Sequence, residues 1–244
     1  MTEHKREIPM FLGALERPAL AWLAKRMPAW VTPDILTLVG FLGSVLIFAS
    51  YILTNVSPWF LWLASLGFII NWFGDSLDGT LARYRQIERP KYGFFIDHTV
   101  DAIDEMLIFF SLGLSPYVHF NLAAVALVGY LLMSSLVYIL TIVSGVFRIA
   151  YVRIGPTEMR GFAIIANAII FFIGNPVYQL MQVSFTLYDG LLVGISALLY
   201  LGFIGIVIVK GREFSKEDPA TYRKKRVRKQ RKSAAVPEQD GVVS

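Results

Sequence analysis

Cysteine is absent from this 244-residue chain. That excludes disulfides, cysteine metal ligands and thiol nucleophiles. Histidine is scarce, and His98 and His119 stand single and unpaired in the sequence, the pattern of structural residues rather than ligands. Lysine and arginine are missing from three stretches, near Asn55–Pro58, Ser115–His119 and Gln182–Asp189. No internal repeat divides the chain. No A-x-A-like site follows its first apolar run, which is too long for a signal-peptide h-region and lies behind a basic leader, so a cleaved secretory signal is not expected.

Apolar surface is what the chain has in excess. Hydrophobic residues make up 55% and aromatics 14% of the sequence, and the mean hydropathy is +0.56, more than a soluble core requires. Windows of about 18 to 25 mostly apolar residues suit helices that cross a hydrocarbon layer of about 30 Å. They fall near Ile35–Leu53, Trp59–Leu81, Phe94–Leu114, Phe120–Phe147, Phe162–Met181 and Gly190–Val209. The expected fold is an all-α integral membrane protein of six transmembrane helices. Before them, Trp-rich Pro9–Trp30 suits an amphipathic interfacial helix, or else a juxtamembrane linker, since Pro18 and Pro28 interrupt it.

Charge gives the orientation. All 23 Lys and Arg lie in the N-terminal segment, in the loops after the second and fourth windows, or from Lys210 onward. Basic residues near short loops stay on the cytoplasmic side, so both termini are expected in the cytoplasm, in a bacterial or archaeal cell membrane. The expected organisation is a cytoplasmic segment (1–34), a six-helix catalytic domain (35–209) and a basic, disordered tail (210–244). The run Tyr222–Lys232 suits anionic lipid headgroups rather than nucleic acid.

Against this background stand Asp75, Asp78, Asp97, Asp101, Asp104 and Glu105. An ionised carboxylate in a bilayer costs on the order of several kcal/mol unless it meets water, a partner or a metal. Asp75 and Asp78 are spaced i,i+3 at the end of the second helix, and Asp97 and Asp101 i,i+4 at the start of the third, so each pair shares a helical face. The short turn Tyr84–Tyr92 returns the chain antiparallel and brings the pairs to one depth. Four converging acids repel one another, whereas hard divalent cations such as Mg²⁺ or Mn²⁺ prefer such oxygen ligands. Salt bridges to Arg83, Arg85, Arg89 and Lys91 are the structural alternative. Gly79 and Ala82 leave an open flank at the level of the acids.

Together, Asp75-x2-Asp78-Gly79-x2-Ala82-Arg83 and Gly93-x3-Asp97-x3-Asp101 resemble the signature of the CDP-alcohol phosphotransferase family, D-x2-D-G-x2-A-R-x8-G-x3-D-x3-D. The chain has nine residues rather than eight between Arg83 and Gly93, and the extra one falls in the polar turn. Thr32–Phe41 is similar to the family's T-P-N-x-L-T segment, with Asp34 in place of Asn; locally, Thr32 reads as a helix cap and Pro33 as its first residue.

The resemblance implies transfer of a phosphoalcohol group from a CDP-linked donor to a hydroxyl acceptor, at least one of them a lipid, with release of CMP. It implies two Mg²⁺ or Mn²⁺ ions held by Asp75, Asp78, Asp97 and Asp101, with Asp101 also the base that removes the acceptor's proton. It assigns CDP binding to Thr32, Pro33, Thr37, Asp78, Gly79, Ala82, Arg83 and Gly93, the last also allowing close helix packing. Many relatives are homodimers, a state on which this sequence is silent. Asp104 and Glu105 lie outside the pattern; they either orient the base or acceptor, or bond Asn71, Asn167 or a buried water.

Candidate acceptor contacts are Arg148, Arg153, Glu158 and Arg160, in or beside the stretch YVRIGPTEMRG. Arginines there suit a phosphorylated acceptor but also satisfy the positive-inside bias. Gly155-Pro156-Thr157-Glu158 instead resembles choline and ethanolamine phosphotransferases, whose acceptor is a diacylglycerol. Two other classes place acids in membranes. Prenyltransferases use two separate Asp motifs and lack the Gly79-x2-Ala82-Arg83 block. A cation transporter needs carboxylates deep in several helices, and the first, fourth, fifth and sixth windows have almost none.

Overall fold

The computed structural model describes residues 13–144, 155–180 and 183–218. Within them the chain forms seven helices and one short β-ribbon. Helix α1 (Gly13–Arg26) runs through Pro18 and stops before Pro28; a proline early in a helix removes one backbone bond without ending it. Its Leu20 and Ala24 are buried with Leu36, Leu77 and Leu81, while Trp22 and Trp30 are exposed. The expected interfacial helix is therefore docked on the bundle along one face.

Helix α2 (Pro33–Leu53) starts as the sequence indicates: Thr32 accepts a bond from Ile35 N–H at 3.3 Å, and Pro33 occupies the first turn. Its neighbour α3 (Phe60–Arg85) approaches so closely that glycine is required where they cross. A Cβ on Gly74 would collide with Gly40 N and Leu36 O, and one on Gly43 would lie 2.9 Å from Asn71 Cα. Small residues that let backbones meet are a common means of packing helices in lipid. The contact sets the depth of Asp75 and Asp78 against α2.

The turn Gln86–Arg89 then leads to α4 (Pro90–Leu114), followed by α5 (Phe120–Ser144) and α6 (Pro156–Ile173). The expected fifth window, Phe162–Met181, is corrected at its end. Gly174 adopts φ 82° and Pro176 follows, a pairing that closes a helix. Val177–Leu180 (β1) instead pairs antiparallel with Val183–Thr186 (β2), Val177 opposite Thr186. Apolar content carried the window past this stop. Helix α7 spans Leu187–Glu217, beyond the expected limits at both ends.

Five helices, α2, α3, α5, α6 and α7, are long and apolar enough to cross a membrane. The third expected span, α4, has 25 residues but carries Asp97, Asp101, Asp104 and Glu105. The protein is an all-α integral membrane protein. At the bundle end away from the acids, buried Asp189 accepts from the backbone N–H of His119 at 2.9 Å and of Thr186 at 2.8 Å, with His119 Nδ1 at 2.6 Å. His119 is a structural tie, as expected. Two compact units divide between Tyr200 and Leu201, and in the second Lys210 pairs with Glu213 at 2.5 Å.

Candidate active site

The turn between α3 and α4 is tighter than the sequence indicates, because α3 runs on through Arg85 and α4 begins at Pro90. Gln86 closes α3 in the left-handed conformation, φ 57°, and Ile87 N–H reaches back to Ala82 O at 3.1 Å. This reversal brings Asp75 of the first pair and both acids of the second to a common cavity, whose lining does not include Asp78. Its walls are Thr37, Gly40 and Phe41 of α2, Asp75 of α3, and Asp97, Val100, Asp101 and Asp104 of α4, around about 10 Å³, room for one water or small ion.

Each α3 acid is engaged from a different helix. Arg160 Nη2, from α6, donates to Asp75 Oδ2 at 2.7 Å, with the two side chains 13% and 24% exposed. The Thr37 hydroxyl donates to Asp78 Oδ2 at 2.6 Å, and Gly79 N–H donates to Asp78 Oδ1. On α4, Asp97, His98 and Asp101 offer ligand atoms that all lie within 4.8 Å of one another. Carboxylates and imidazole are a donor set that accepts Mn²⁺ and related divalent ions. Two helices thus contribute acids, and α2 and α6 steady them.

Residues 30–201 match the family model of the CDP-alcohol phosphatidyltransferases. The chain belongs to that family. Over 104 residues it is 32% identical to an archaetidylinositol phosphate synthase of Pyrococcus horikoshii, covering 43% of this chain and 52% of that protein. Cholinephosphotransferase 1 of Danio rerio is 32% identical over 95 residues, 36% of this chain and 24% of the relative. For the Xenopus laevis protein of the same name the figures are 33% over 100 residues, 38% and 24%. The chain thus matches about half the length of the archaeal relative and about a quarter of the vertebrate ones. CDP-alcohol phosphatidyltransferases are transferases of phospholipid biosynthesis, which accords with the apolar helices.

Several family positions take on local structural roles here. Gly79 lies under the Arg83 guanidinium, with Arg83 Nη1 3.3 Å from where a Cβ would stand. Arg83 Nη2 also donates to Thr80 Oγ1 at 3.2 Å. Gly93 does not serve close helix packing: it is exposed, and a Cβ there would meet nothing within 4 Å. Asp34 forms a two-oxygen ion pair with Arg89 at 2.5 and 2.6 Å, and Arg89 stacks over Tyr92 at 4.0 Å. The Asp34 carboxylate raises the Arg89 pKa above its ordinary value.

Asn71 Nδ2 contacts Gly40 O at 3.1 Å, Ser44 Oγ at 2.9 Å and Asp104 Oδ2 at 2.9 Å, so Asp104 has the expected partner Asn71. Glu105 lies beside Tyr130, whereas Asn167 pairs with Tyr51 and Ser65. On the acceptor side, Arg148 and Arg153 lie outside the described residues. Arg160 reaches the acids. Glu158 is buried and accepts from Gly155 N–H at 2.9 Å, which closes the first turn of α6.

His98, expected to be structural rather than a ligand, stands in the group with Asp97 and Asp101, and its signal was its place beside Asp97 and one turn before Asp101. It also missed Arg85, which gathers the carbonyls of Met27 at 3.0 Å, Pro28 at 2.8 Å and Val31 at 2.5 Å between α1 and α2.

Proposed function

We propose that this family member transfers a phosphoalcohol group from a CDP-linked donor to a hydroxyl acceptor and releases CMP. The observation that carries the reading is the shared cavity of Asp75, Asp97 and Asp101, with Thr37 in its wall and Arg160 on Asp75. Asp97 and Asp101 would hold a divalent cation, Mg²⁺ or Mn²⁺, with His98 beside them. Asp75 and Asp78 would complete the donor set for a second ion, since each carboxylate keeps lone pairs beyond its bonds to Arg160 and Thr37. When bound, such ions offset the charge that gathers on the diphosphate as CMP departs.

The chain's own residues supply the remainder. Gly79, Ala82 and Arg83 border the donor's cytidine and phosphates, with Thr32, Pro33 and Thr37 across from them and exposed Gly93 open to the ligand. Asp101 accepts the acceptor hydroxyl's proton as that oxygen attacks the phosphorus next to the alcohol. The bond from this phosphorus to the CMP oxygen breaks in line, and CMP leaves with the electron pair. Arg160 marks the acceptor side, with its charge suited to an anionic acceptor.

The same reading has six spans, α4 included, both termini in the cytoplasm of a bacterial or archaeal cell, and a catalytic domain over 35–209 between the N-terminal segment and the basic tail. The test is a screen of purified protein with CDP-diacylglycerol, CDP-choline and CDP-ethanolamine against inositol phosphate, glycerol phosphate, serine and diacylglycerol. CMP release that needs Mg²⁺ or Mn²⁺ and both substrates is expected. No CMP with any pair, or pyrophosphate release as from a prenyltransferase, would overturn the reading.

A further inference from the structure

Helix α1 is bonded to both α3 and α6 through one side chain. Glu16 Oε1 accepts from Trp72 Nε1 at 2.8 Å and from Thr157 Oγ1 at 3.0 Å. Trp72 lies one helical turn from Asp75 on α3, and Thr157 one turn from Arg160 on α6. Those two residues are themselves joined at 2.7 Å. Helices α3 and α6 are therefore linked twice near the acids, once directly by Asp75–Arg160 and once through a carboxylate on a third helix.

That carboxylate is presented from an anchored support. Leu20 and Ala24 hold α1 in a buried cluster with Leu36, Leu77 and Leu81, against which Trp72 packs. The exit from α1 is clamped by Arg85 on the carbonyls of Met27, Pro28 and Val31. Apolar contacts alone would dock α1. A charged acceptor shared by two donors from different helices adds direction, because hydrogen bonds fix angle and distance where apolar packing does not. Glu158 closes the first turn of α6 from within, so a force on Thr157 moves that turn as a unit and carries Arg160 with it.

We propose that Glu16 is a positioning residue for the transfer reaction, tethering the first turn of α6 to α3 so that Arg160 meets Asp75 at the acceptor side of the cavity. The proposal rests on the reading of that cavity under Proposed function. The donor side is built by α2, α3 and α4, and α2 and α3 are joined directly by the Thr37–Asp78 bond and the close crossing at Gly43 and Gly74, without Glu16.

The test compares Glu16→Ala with Glu16→Gln, whose amide oxygen still accepts both bonds. Glu16→Ala should lose about 10- to 100-fold in kcat/KM for the acceptor, the scale of a small misplacement at a reacting centre. The donor KM should stay within about twofold, and Glu16→Gln should recover most of the loss. Equal effects on both substrates, no recovery in Glu16→Gln, or unchanged constants in a protein of lower Tm would overturn the proposal.

A second measurement needs no turnover. The cysteine-free chain accepts spin labels at Ile69→Cys on α3 and Phe162→Cys on α6, both at exposed positions. The α3–α6 distance distribution should broaden in Glu16→Ala and keep its width in Glu16→Gln. An unchanged distribution in Glu16→Ala would contradict the tether even if no substrate pair were found. A broadened one without CMP release would leave the tether standing and remove the assigned reaction.

Discussion

Thr37 Oγ1 donates to Asp78 Oδ2 at 2.6 Å, joining the first turns of α2 to the acid-bearing turn of α3. The bond fixes one carboxylate oxygen while Gly79 N–H holds the other. Thr37→Val removes the donor and keeps the shape. It should cost about 1 kcal/mol of stability and raise the donor KM, and Thr37→Ser should restore both. Thermal unfolding and donor titration read the two effects separately; an unchanged donor KM in Thr37→Val would remove Thr37 from the donor side.

Arg85 serves the fold rather than the chemistry. Its planar guanidinium reaches several carbonyls of the α1–α2 connection at once, which an ammonium group cannot reproduce. Arg85→Lys preserves charge, yet it should lower stability by about 1.5–3 kcal/mol, the range for hydrogen bonds to a charged group. The expected result is a lower Tm in the same detergent with near-normal KM values. An unshifted Tm would contradict the clamp.

His98 stands between two roles. Its ring is stacked on Tyr138 at 5.0 Å and edge-on to Phe94 at 4.1 Å, and its Nδ1 lies 3.2 Å from Asp97 Oδ2. If it contributes to the metal group, His98→Ala should raise the Mn²⁺ concentration for half-maximal activity about tenfold. A lower Tm with the same Mn²⁺ dependence would assign it to packing alone.

The acid faces were legible in the sequence because they are local. The i,i+3 and i,i+4 spacings place each pair on one side of its helix, and a short turn allows only an antiparallel return. Thr32 and Pro33 were legible as a helix start for the same reason. Three features were not. The end of α6 at Gly174 was hidden by the apolar residues of β1, which hydropathy counts as more helix. The packing role given to Gly93 failed because the glycines that α2 and α3 need lie at Gly43 and Gly74, outside the acid motif. Glu16 was invisible because its partners lie 56 and 141 positions along the chain, and only the folded bundle brings them together.

On the proposed reading, the acids of α3 and α4 form one metal-dependent site that releases CMP, with Asp101 as base. Its most direct measurement is the stoichiometry of CMP and new phosphodiester in proteoliposomes, with and without EDTA, for the wild type and Asp101→Asn. Equal amounts of both products are expected from the wild type with Mg²⁺ or Mn²⁺, none with EDTA, and none from Asp101→Asn despite an unchanged helical spectrum and Tm. Substantial turnover by Asp101→Asn, or CMP release that survives EDTA, would contradict it.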